Sequence, residues 1–389
     1  MTFKTLRDFD LTDKTVLLRA DLNVPVQDGK VSDFTRIDRL KPTIDYLKNK
    51  AKRIIVLSHF GRPKGNEHPK YSLEFLPDIL TDRWKVEVGF GKEAESKITL
   101  LENLRYNEGE KANDPAFAKE LAGYGDIFVN DAFSAAHRAH ASTEGITHYL
   151  PSCAGLLMEA ELTALNNALE DPEKPVMAVV GGAKISTKLS VLNNLVKKVD
   201  YLVLGGGMAN TFMMAKGQEI GASLCEKDML EDAEKIMTSA DGYKCKIILP
   251  ADCVVVEKLE ENAAYETVTP ADFPEDKSAV DIGQKSITSL ETILDTCKTV
   301  LWNGPMGVFE IKPFDNGTNA VAKKVADLTR NNKLVSVAGG GDTVAALENA
   351  GVANDFSYIS TAGGAFLEWL EGKTLPGVAA LEEAAKKAA

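Results

Sequence analysis

The chain has 389 residues, of which 44% are hydrophobic and 26% are charged, and its formal net charge is −12. This length favours two or three domains, and the ordinary composition excludes a disordered, collagen-like or coiled-coil protein. The acidic total argues against a general binder of nucleic acid or anionic membranes, because such binding depends on many Lys and Arg side chains. No apolar run approaches the roughly 18 residues of a membrane span.

The N-terminal segment and the cysteines bear on the compartment of the protein. The first residues alternate apolar and charged types without the apolar core of a signal peptide. The five cysteines are widely spaced and form no CxxC pair, which is typical of reduced thiols. The sequence therefore predicts a cytoplasmic protein without structural zinc.

Short apolar segments alternate with amphipathic stretches along the whole chain. Eleven of these segments are predicted strands: 15–20, 53–58, 86–90, 98–101, 126–130, 175–180, 201–206, 246–251, 299–304, 334–340 and 358–364. Such alternation predicts an α/β protein with parallel sheets that carry helices on both faces. Eleven strands fit two sheets better than one, so we expect two doubly wound, Rossmann-like domains.

The segment 156–175 marks the expected divide, because it begins as an amphipathic helix and ends in a charged stretch flanked by prolines. We predict a helical hinge there, with an N-terminal domain over 1–170 and a C-terminal domain over 171–370. The Ala-rich tail, within 371–389, favours a helix that either frays or docks elsewhere on the protein.

Arginine and histidine are concentrated in the first half of the chain. Nine of the ten arginines and all five histidines precede residue 150. Three predicted strands end in basic motifs, which are RADLNVP with Arg19, SHFGRP with His59 and Arg62, and AAHRAHA with Arg138. Several arginines at strand ends indicate one small polyanionic ligand, since the guanidinium group binds carboxylate and phosphate bidentately. Two alternatives are a structural pair in which Asp21 orients Arg19, and a metal site at the H-x-x-H of 137–140, which lacks further nearby ligands.

Glycine is concentrated in the second half. Five predicted strands end in glycine motifs, which are VVGGAK, LVLGGGM, LWNGPMG, SVAGGGDT and STAGGAF. Ligands of open α/β sheets bind outside the carboxyl ends of the strands, so five such loops on one edge are hard to explain as turns alone. The GGGDT and GGAF loops run into predicted helices, whose N-termini offer free N–H groups to an anion. Neither a Walker A motif nor a G-x-G-x-x-G dinucleotide fingerprint is present.

Four charged residues beside these loops suggest a nucleotide site. Lys184 and Lys188 are spaced i,i+4 on the helix predicted after GGAK and can face phosphates, although a solvated lysine pair is the alternative. Asp342 follows three glycines, where a carboxylate holds Mg²⁺ beside phosphates or, alternatively, caps the next helix. Glu310 lies in an apolar loop and is either an acceptor for ribose hydroxyls or a surface charge.

Taken together and in order, these motifs closely resemble those of the phosphoglycerate kinase family. The resemblance rests on RADLNVP, SHFGRP, LENLRY, AAHRAHAS, GGAKISTKL, LGGGMANTF, NGPMGVFE, GGGDT and STAGGAFLEWLEGK, which span nearly the whole chain. It implies a glycolytic, monomeric kinase of two similar-sized α/β domains. It also implies that 3-phosphoglycerate binds the N-terminal domain, that MgATP or MgADP binds the C-terminal domain, and that the tail docks on the N-terminal domain.

The resemblance also implies roles for individual residues. Those expected to bind 3-phosphoglycerate are Asp21, Leu22, Asn23, Arg36, His59, Phe60, Gly61, Arg62, Arg105 and Arg138. Those expected to bind the nucleotide are Lys184, Lys188, Gly205, Gly206, Asn303, Glu310, Gly340, Gly341, Asp342 and Thr343, with Asp342 as the magnesium ligand. Those expected to act on the transferring group are Arg36, Lys188, Gly340, Gly363 and Gly364. Two positions depart from the family pattern, since Ala362 replaces a glycine and Phe60 replaces a leucine.

The implied reaction transfers the γ-phosphoryl group of MgATP reversibly to the carboxylate of 3-phosphoglycerate. A carboxylate is already ionised and needs no general base, which agrees with a sequence in which no convincing catalytic dyad is found. The reaction needs charge neutralisation and exclusion of water, and we expect hinge closure to provide the latter. An NAD-dependent dehydrogenase is the enzymatic alternative, and a two-lobed anion-binding protein is the non-enzymatic one.

Overall fold

The computed structural model describes residues 2–63 and 67–387 of the chain. The chain forms two compact units, of which unit 1 comprises Met1–Thr163 with Thr374–Ala389, and unit 2 comprises Ala164–Lys373. Each unit is built on a six-stranded sheet. The boundary between the units falls within a helix that continues directly into a π-helical turn, Asn166–Glu170.

The sheet of unit 1 has the strand order β5-β6-β4-β1-β7-β8, and all neighbouring strands are parallel. Its strands are β1 (Thr15–Arg19), β4 (Arg53–Leu57), β5 (Val88–Phe90), β6 (Ile98–Leu100), β7 (Ile127–Asn130) and β8 (Ser152–Ala154), and a short hairpin joins β2 (Val26–Gln27) to β3 (Lys30–Val31). Its helices are α1 (Thr35–Lys48), α2 (Pro77–Trp84), α3 (Glu108–Ala112), α4 (Pro115–Ala122), α5 (Leu156–Leu165) and the last helix of the chain, α13 (Pro376–Lys387).

The central strands of unit 1 are buried on both faces, as covered parallel strands require. Leu17 of β1 pairs in register with Ile55 and Phe128 of the neighbouring strands, and all three side chains are buried. Helix α4 shows how local sequence sets a boundary, because the Asp114 carboxylate caps it by accepting the Phe117 N–H at 2.8 Å.

Helix α13 packs on unit 1 next to β8. The Gly377 N–H donates to the Ala136 carbonyl at 2.9 Å, and a Cβ at Gly377 would lie 3.0 Å from the Ala136 Cα. Val378 and Leu381 are buried beside this contact. The close backbone approach therefore depends on a residue without a side chain at the start of the helix.

The larger sheet of unit 2 has the order β11-β10-β9-β15-β16-β17, again with parallel neighbours. Its strands are β9 (Val176–Val180), β10 (Tyr201–Leu204), β11 (Lys246–Ile248), β15 (Thr299–Asn303), β16 (Val335–Gly339) and β17 (Tyr358–Ser360). A three-stranded antiparallel sheet adds β12 (Cys253–Val256), β13 (Tyr265–Val268) and β14 (Ser278–Ile282). The helices are α6 (Leu189–Leu195), α7 (Gly206–Ala215), α8 (Leu230–Tyr243), α9 (Gln284–Leu294), α10 (Asn316–Arg330), α11 (Gly341–Asn349) and α12 (Gly363–Leu370).

The predicted α/β class with two parallel sheets is confirmed, and each of the eleven predicted strands is present. The antiparallel sheet and β8 were not predicted. Strand β8 has only three residues, and the exposed β13 carries Glu266 among polar neighbours, so neither gives a clear apolar run. The central strand β12 does give one, Cys253–Val256, and was overlooked. Within the described parts of the chain, no helix is long and apolar enough to cross a membrane.

Candidate active site

The carboxyl ends of β6, β4, β1 and β7 share one edge of the sheet in unit 1, because the strands are parallel neighbours. This edge carries a set of basic side chains that we call the cationic edge, formed by Arg36, His59, Arg62, Arg105 and Arg138. Arg62 and Arg138 are exposed, whereas His59 is only 6% exposed. Arg36 enters from the first turn of α1, which follows the hairpin after β1.

The Asp21 carboxylate holds Arg36 in place. Arg36 Nη1 lies 2.7 Å from Asp21 Oδ2, the Ser134 hydroxyl donates to the same oxygen, and the Asn23 N–H donates to Asp21 Oδ1 at 3.1 Å. The alternative in which Asp21 pairs with Arg19 is wrong, because Arg19 donates elsewhere. The guanidinium of Arg36 is thus oriented by a carboxylate that is itself fixed by two further donors.

Gly61 joins two other predicted ligand residues. Its N–H donates to Asn23 Oδ1 at 2.9 Å, and its carbonyl accepts from Arg105 Nη1 at 2.7 Å. Gly61 has φ of +59°, and a Cβ there would lie 2.6 Å from the Tyr71 ring, so only glycine fits. The neighbouring Phe60 is held through its backbone, which exchanges hydrogen bonds with the side chain of Asn103.

Leu22 contributes through its backbone and its packing. Its side chain is fully buried, and its N–H donates to Ser58 Oγ at 3.0 Å. Ser58 Oγ in turn donates to the Ala20 carbonyl at 2.9 Å. The ends of β1 and β4 are therefore tied together directly beneath Asp21 and His59.

Electrostatics make the cationic edge receptive to an anion. Burial, together with the charges of Arg19, Arg138 and Arg62 and against the opposing effect of Glu110, lowers the pKa of Arg105 to about 10. Burial, followed by the charges of Arg19, Arg105 and Arg36, holds the pKa of His59 well below its usual 6.5. Mutual repulsion of this kind favours a bound polyanion that supplies the missing negative charge.

In unit 2, five adjacent strands end in glycine motifs at one edge of the sheet, which we call the glycine edge. They are β10, β9, β15, β16 and β17, in their order across the sheet. A cavity of about 640 Å³ lies beside this edge, within the size range of sites for small molecules. Among its lining residues are Gly182, Gly206, Val308, Glu310 and Asp342.

The side chain of Lys188 turns back onto the glycine edge. Its Nζ donates to the Gly181 carbonyl and to Asn303 Oδ1, both at 2.7 Å, and to the Asn303 carbonyl at 3.1 Å. Burial lowers the pKa of Lys188 to about 8, against the opposing effect of Asp342. The ammonium group is therefore fixed at the strand ends and only weakly hydrated.

The prediction that Lys184 and Lys188 share a helix is wrong. Helix α6 begins at Leu189, and both lysines belong to the preceding turn. The physical reason is the Glu226 carboxylate, which accepts the Ser186 N–H at 3.0 Å and the Ser186 hydroxyl at 2.6 Å. These bonds hold the backbone of Ser186 outside the helix, and Lys184 remains exposed.

Asn303 and Thr343 connect the strand ends of the glycine edge. Asn303 Nδ2 donates to the Gly339 carbonyl at 2.7 Å, and Thr343 Oγ1 donates to the same carbonyl at 2.9 Å. The Gly304 N–H donates to Thr343 Oγ1 at 2.7 Å. Gly340 has φ of +101°, and a Cβ there would lie 2.7 Å from Asn303 Nδ2. The hydroxyl of Thr343 is thus engaged within the protein and is not directed to a ligand.

Two helix N-termini follow the glycine edge. Helix α11 begins at Gly341 after the cap residue Gly340, and α12 begins at Gly363 after Ala362, in both cases without a side-chain cap. Gly364 lies in the first turn of α12. Such helix starts offer backbone N–H groups to phosphate oxygens. Asp342 is exposed in the first turn of α11, so the alternative in which it is the helix cap is wrong.

Gly205 and Gly206 are placed at the end of β10, where their backbone groups are already used. The Gly205 N–H donates to the Val180 carbonyl at 3.1 Å, and the Gly206 N–H donates to the Met306 carbonyl at 2.9 Å. A Cβ at Gly206 would lie 2.8 Å from the Gly182 carbonyl oxygen. Their contribution to the cavity is therefore a close backbone surface rather than free donors.

The sequence and the fold both match one family. The family model described as phosphoglycerate kinase matches residues 6–373. A curated phosphoglycerate kinase of Rhodospirillum centenum is 56% identical and aligns with 98% of this chain and 100% of its own length. The solved phosphoglycerate kinase of Coxiella burnetii has a TM-score of 0.94 and 41% identity, covering 99% of this chain and 100% of its own. The chain belongs to the phosphoglycerate kinase family.

Further comparisons agree with membership of the phosphoglycerate kinase family. The relative from Methylorubrum populi is 54% identical over 97% of this chain and 98% of its own length. The solved structure from Pyrococcus horikoshii has a TM-score of 0.79 at 31% identity and covers 99% of this chain and 100% of its own. The chain is thus a phosphotransferase with phosphoglycerate kinase activity, and neither a dehydrogenase nor a binding protein is favoured.

The departure from the family pattern at Ala362 is explained by the backbone. Ala362 has φ of −101° and ψ of 59°, and its side chain is 4% exposed. Because φ is negative, the position does not require glycine. The N-terminus of α12 therefore keeps its free amides with alanine at this position.

The donor set beside the cavity fits Mg²⁺ held beside phosphates. Asp342 supplies one exposed carboxylate at the cavity. Among residues 2–63 and 67–387, no group of three or more His, Cys, Asp or Glu side chains is arranged to hold a metal ion. Mg²⁺ commonly binds through one or two carboxylates, substrate phosphates and water, so a single carboxylate is sufficient.

Sequence reasoning missed several residues that support the cationic edge. Asn103 positions Phe60, and Ser134 positions Asp21, as described above. Glu110 and Ser142 are fully buried and bonded to each other, with Ser142 Oγ donating to Glu110 Oε1 at 2.6 Å. No local pattern identifies these residues, because they are brought to the site only by the fold.

Proposed function

We propose that this enzyme transfers a phosphoryl group reversibly between MgATP and the carboxylate of 3-phosphoglycerate, giving MgADP and 1,3-bisphosphoglycerate. The observation that carries this proposal is that one chain contains both the cationic edge and the glycine edge. The cationic edge of unit 1 suits a small polyanion, and the glycine edge of unit 2 suits a nucleotide. The reaction belongs to glycolysis and, in reverse, to gluconeogenesis.

The cationic edge binds 3-phosphoglycerate in this proposal. Arg62, Arg105 and Arg138 neutralise the phosphate and the carboxylate, which are the two anionic ends of the substrate, and His59 holds them by hydrogen bonding. Asp21, Leu22, Asn23, Phe60 and Gly61 form the hydrogen-bonded frame that sets these positions. Preorganised donors of this kind lose little conformational entropy when the ligand binds.

The glycine edge binds the nucleotide. The cavity beside β10 and β15 takes the base and ribose, with Glu310 accepting from ribose hydroxyls. Lys184, Lys188 and Gly341 lie toward the phosphates, and Thr343 holds the strand ends together beneath them. Asp342 holds Mg²⁺, which when bound neutralises charge on the phosphate oxygens. Backbone amides at Gly340 and at the start of α12 complete a site made mainly of fixed dipoles.

Phosphoryl transfer depends on positive groups placed around the transferring phosphoryl group. The attacking carboxylate is ionised at neutral pH, so no residue has to remove a proton. Arg36 and Lys188 stabilise the charge that spreads over the transferring group, and the amides of Gly340, Gly363 and Gly364 add oriented dipoles. We propose that hinge closure at the helical segment 156–170 excludes water, so that transfer to the substrate exceeds hydrolysis.

The same proposal covers the setting in which the enzyme works. We expect a cytoplasmic monomer whose partners are its two small substrates, without nucleic acid or membrane among them. The acidic balance of unit 2 and the nearly balanced first half support this expectation, since residues 1–170 contain 23 Lys and Arg against 26 Asp and Glu.

A coupled assay for ADP tests the proposal. ATP, Mg²⁺ and 3-phosphoglycerate are supplied together, and each is then omitted in turn. We expect ADP only in the complete mixture. ADP formation without 3-phosphoglycerate would indicate a hydrolase, and binding without turnover would indicate an anion-binding protein. Binding of NADH without formation of ADP would indicate a dehydrogenase. Each result would reject the proposal.

A further inference from the structure

Arg19, the last residue of β1, is a buried arginine beneath the cationic edge. Its side chain is 1% exposed, which is rare for arginine unless the charge is paired. Nε donates to Ser142 Oγ at 2.9 Å, Nη1 donates to the Ala20 carbonyl, and Nη2 lies 2.9 Å from His59 Nδ1. Its guanidinium group is therefore committed to protein atoms and is shielded from a ligand.

The charge of Arg19 is balanced through Ser142. Ser142 Oγ accepts from Arg19 and donates to Glu110 Oε1 at 2.6 Å, and the Ser142 N–H donates to Glu110 Oε2 at 3.1 Å. Glu110 is fully buried. The four side chains Glu110, Ser142, Arg19 and His59 form one continuous hydrogen-bonded chain, which we call the Arg19 chain. It contains one anion and one cation, so its buried charge is offset internally.

The geometry determines the protonation pattern of the His59 ring. Arginine has only donors, so His59 Nδ1 must accept from Arg19 and carries no proton. Burial and then the charges of Arg19, Arg105 and Arg36 lower the pKa of His59, and the neighbouring His140 acts in the same direction. Asp21 and Glu110 are the nearby carboxylates that act on Arg19. A neutral ring that accepts at Nδ1 has its proton at Nε2.

We propose that Arg19 is a positioning residue that fixes His59 as the Nε2–H tautomer, so that the ring donates one hydrogen bond to an anionic oxygen of the substrate. The proposal rests on the proposed function, because it needs an anion at the cationic edge. Arg19 acts only through His59 and does not itself contact the substrate. Without Arg19, the ring is free to place its proton on Nδ1. Nε2 then faces the anion as an acceptor, and its lone pair repels the anionic oxygen of the substrate.

The test uses a double variant that removes the cation and the anion together. R19M/E110Q keeps two side chains of similar length and leaves no unpaired buried charge. The control is R53M, which removes another arginine from the same sheet, where Arg53 Nη2 donates to the Ala94 carbonyl and to Thr99 Oγ1. Arg53 begins β4, the strand that leads to His59, yet its hydrogen bonds do not involve that ring.

The first readout is ¹⁵N NMR of the histidine rings in the full-length enzyme, with the His59 signals identified from H59Q. In the wild type and in R53M, we expect Nδ1 of His59 to be unprotonated and Nε2 protonated across pH 6–8. In R19M/E110Q, we expect exchange between both tautomers. An unchanged His59 spectrum in the double variant would overturn the proposal, as would a wild-type spectrum with the proton on Nδ1.

The second readout is kinetic. In R19M/E110Q, we expect KM for 3-phosphoglycerate to rise about tenfold, the cost of one misdirected hydrogen bond to a charged group, while KM for MgATP stays unchanged. A changed tautomer with an unchanged KM for 3-phosphoglycerate would overturn the functional part of the proposal.

A second variant and the wild type keep these outcomes separable. If R19M/E110Q does not fold, R19K serves in its place, because one ammonium group cannot hold Ser142 and His59 together, and the same tautomer exchange is expected. If the wild type shows no turnover with ATP and 3-phosphoglycerate, the proposed function fails. The NMR spectrum of the wild type still decides the tautomer assignment in that case.

Discussion

The two strand-end edges of this protein offer chemically different groups to anions, although both lie at the ends of six-stranded parallel sheets. The cationic edge of unit 1 consists of side chains, and its positive groups are oriented by the carboxylate of Asp21 and by the Arg19 chain. The glycine edge of unit 2 consists mainly of backbone, with Lys188 as its half-buried cation. The same sheet architecture thus supports recognition by full charges or by aligned dipoles.

The two kinds of edge place different physical requirements on their units. Buried cations require nearby anions, so unit 1 needs Glu110 and Asp21 to keep its arginines in place. Backbone amides need no counterion, but they require strand ends that approach closely. A Cβ at Gly181 would lie 1.8 Å from the Pro305 carbonyl oxygen, so alanine cannot replace it without moving the backbone. We therefore expect the largest losses of activity in unit 1 from substitutions that remove charge. In unit 2 we expect them from substitutions that add bulk at a glycine, except at Lys188.

Lys188→Ala is the substitution with the largest expected effect. It removes the Lys188 ammonium group, which is fixed at the strand ends of the glycine edge, and we expect kcat to fall by about 10²–10³-fold, as for loss of a preorganised transition-state contact. Steady-state ADP formation measures this. Lys197→Ala removes an exposed lysine close by in the chain and should leave kcat unchanged. Comparable losses in both variants would show that general charge matters rather than this ammonium group.

Arg36→Ala is expected to be the next largest. The variant removes a side chain that Asp21 orients at 2.7 Å, and kcat should fall about 100-fold while KM for 3-phosphoglycerate rises much less. The matched control is Arg7→Ala, which breaks an exposed pair with Glu159 that is expected to contribute less than about 1 kcal/mol. Near-normal turnover in Arg36→Ala would remove this side chain from the transition state.

The pH dependence of the nucleotide step tests the state of Lys188. Burial lowers the pKa of Lys188 to about 8, so its positive charge is present below pH 8 and is lost above it. We expect kcat/KM for MgATP to be constant at lower pH and to fall about tenfold by pH 9. In Lys188→Arg, this fall should move beyond the measured range, since arginine stays charged. An unchanged falling limb in that variant would assign the titration to another group.

The smallest expected effects come from two glycine-edge substitutions of opposite kind. Gly340→Ala places a Cβ 2.7 Å from Asn303 Nδ2 at φ of +101°, and strain of about 1 kcal/mol should weaken MgADP binding about fivefold.

Ala362→Gly changes a residue with φ of −101°, so MgADP binding should stay within about twofold. Its unfolding free energy should fall by about 0.5–1 kcal/mol because glycine is more flexible in the unfolded chain. Calorimetric titration measures MgADP binding by the two variants, and chemical unfolding measures their stability. Equal losses of MgADP binding in Gly340→Ala and Ala362→Gly would contradict the claim that only position 340 requires glycine.

The sequence was sufficient for the parallel sheets and for most of the residues at their ends. Repeated apolar segments predicted the strands, and strand ends in parallel sheets share an edge, so His59, Arg62 and Gly340 could be proposed before the fold was known. Arg36 lies on helix α1 and was proposed from the resemblance to the family. Glu110 and Ser142 could not, because their partners lie 32 to 123 residues away in the chain. The turn at Lys188 was mistaken for a helix because Glu226, 40 residues from Ser186, determines its backbone.

The division of labour between the two edges can be measured directly by NMR on the ¹⁵N-labelled full-length enzyme. 3-Phosphoglycerate and MgADP are titrated separately, and ring nitrogens of His59 and backbone amides of Gly340, Gly363 and Gly364 are followed. We expect 3-phosphoglycerate to cause its largest shifts at His59 and MgADP to cause its largest shifts at the three glycines. The reverse pattern, or equal shifts at both edges from either ligand alone, would contradict the assignment of one substrate class to each edge.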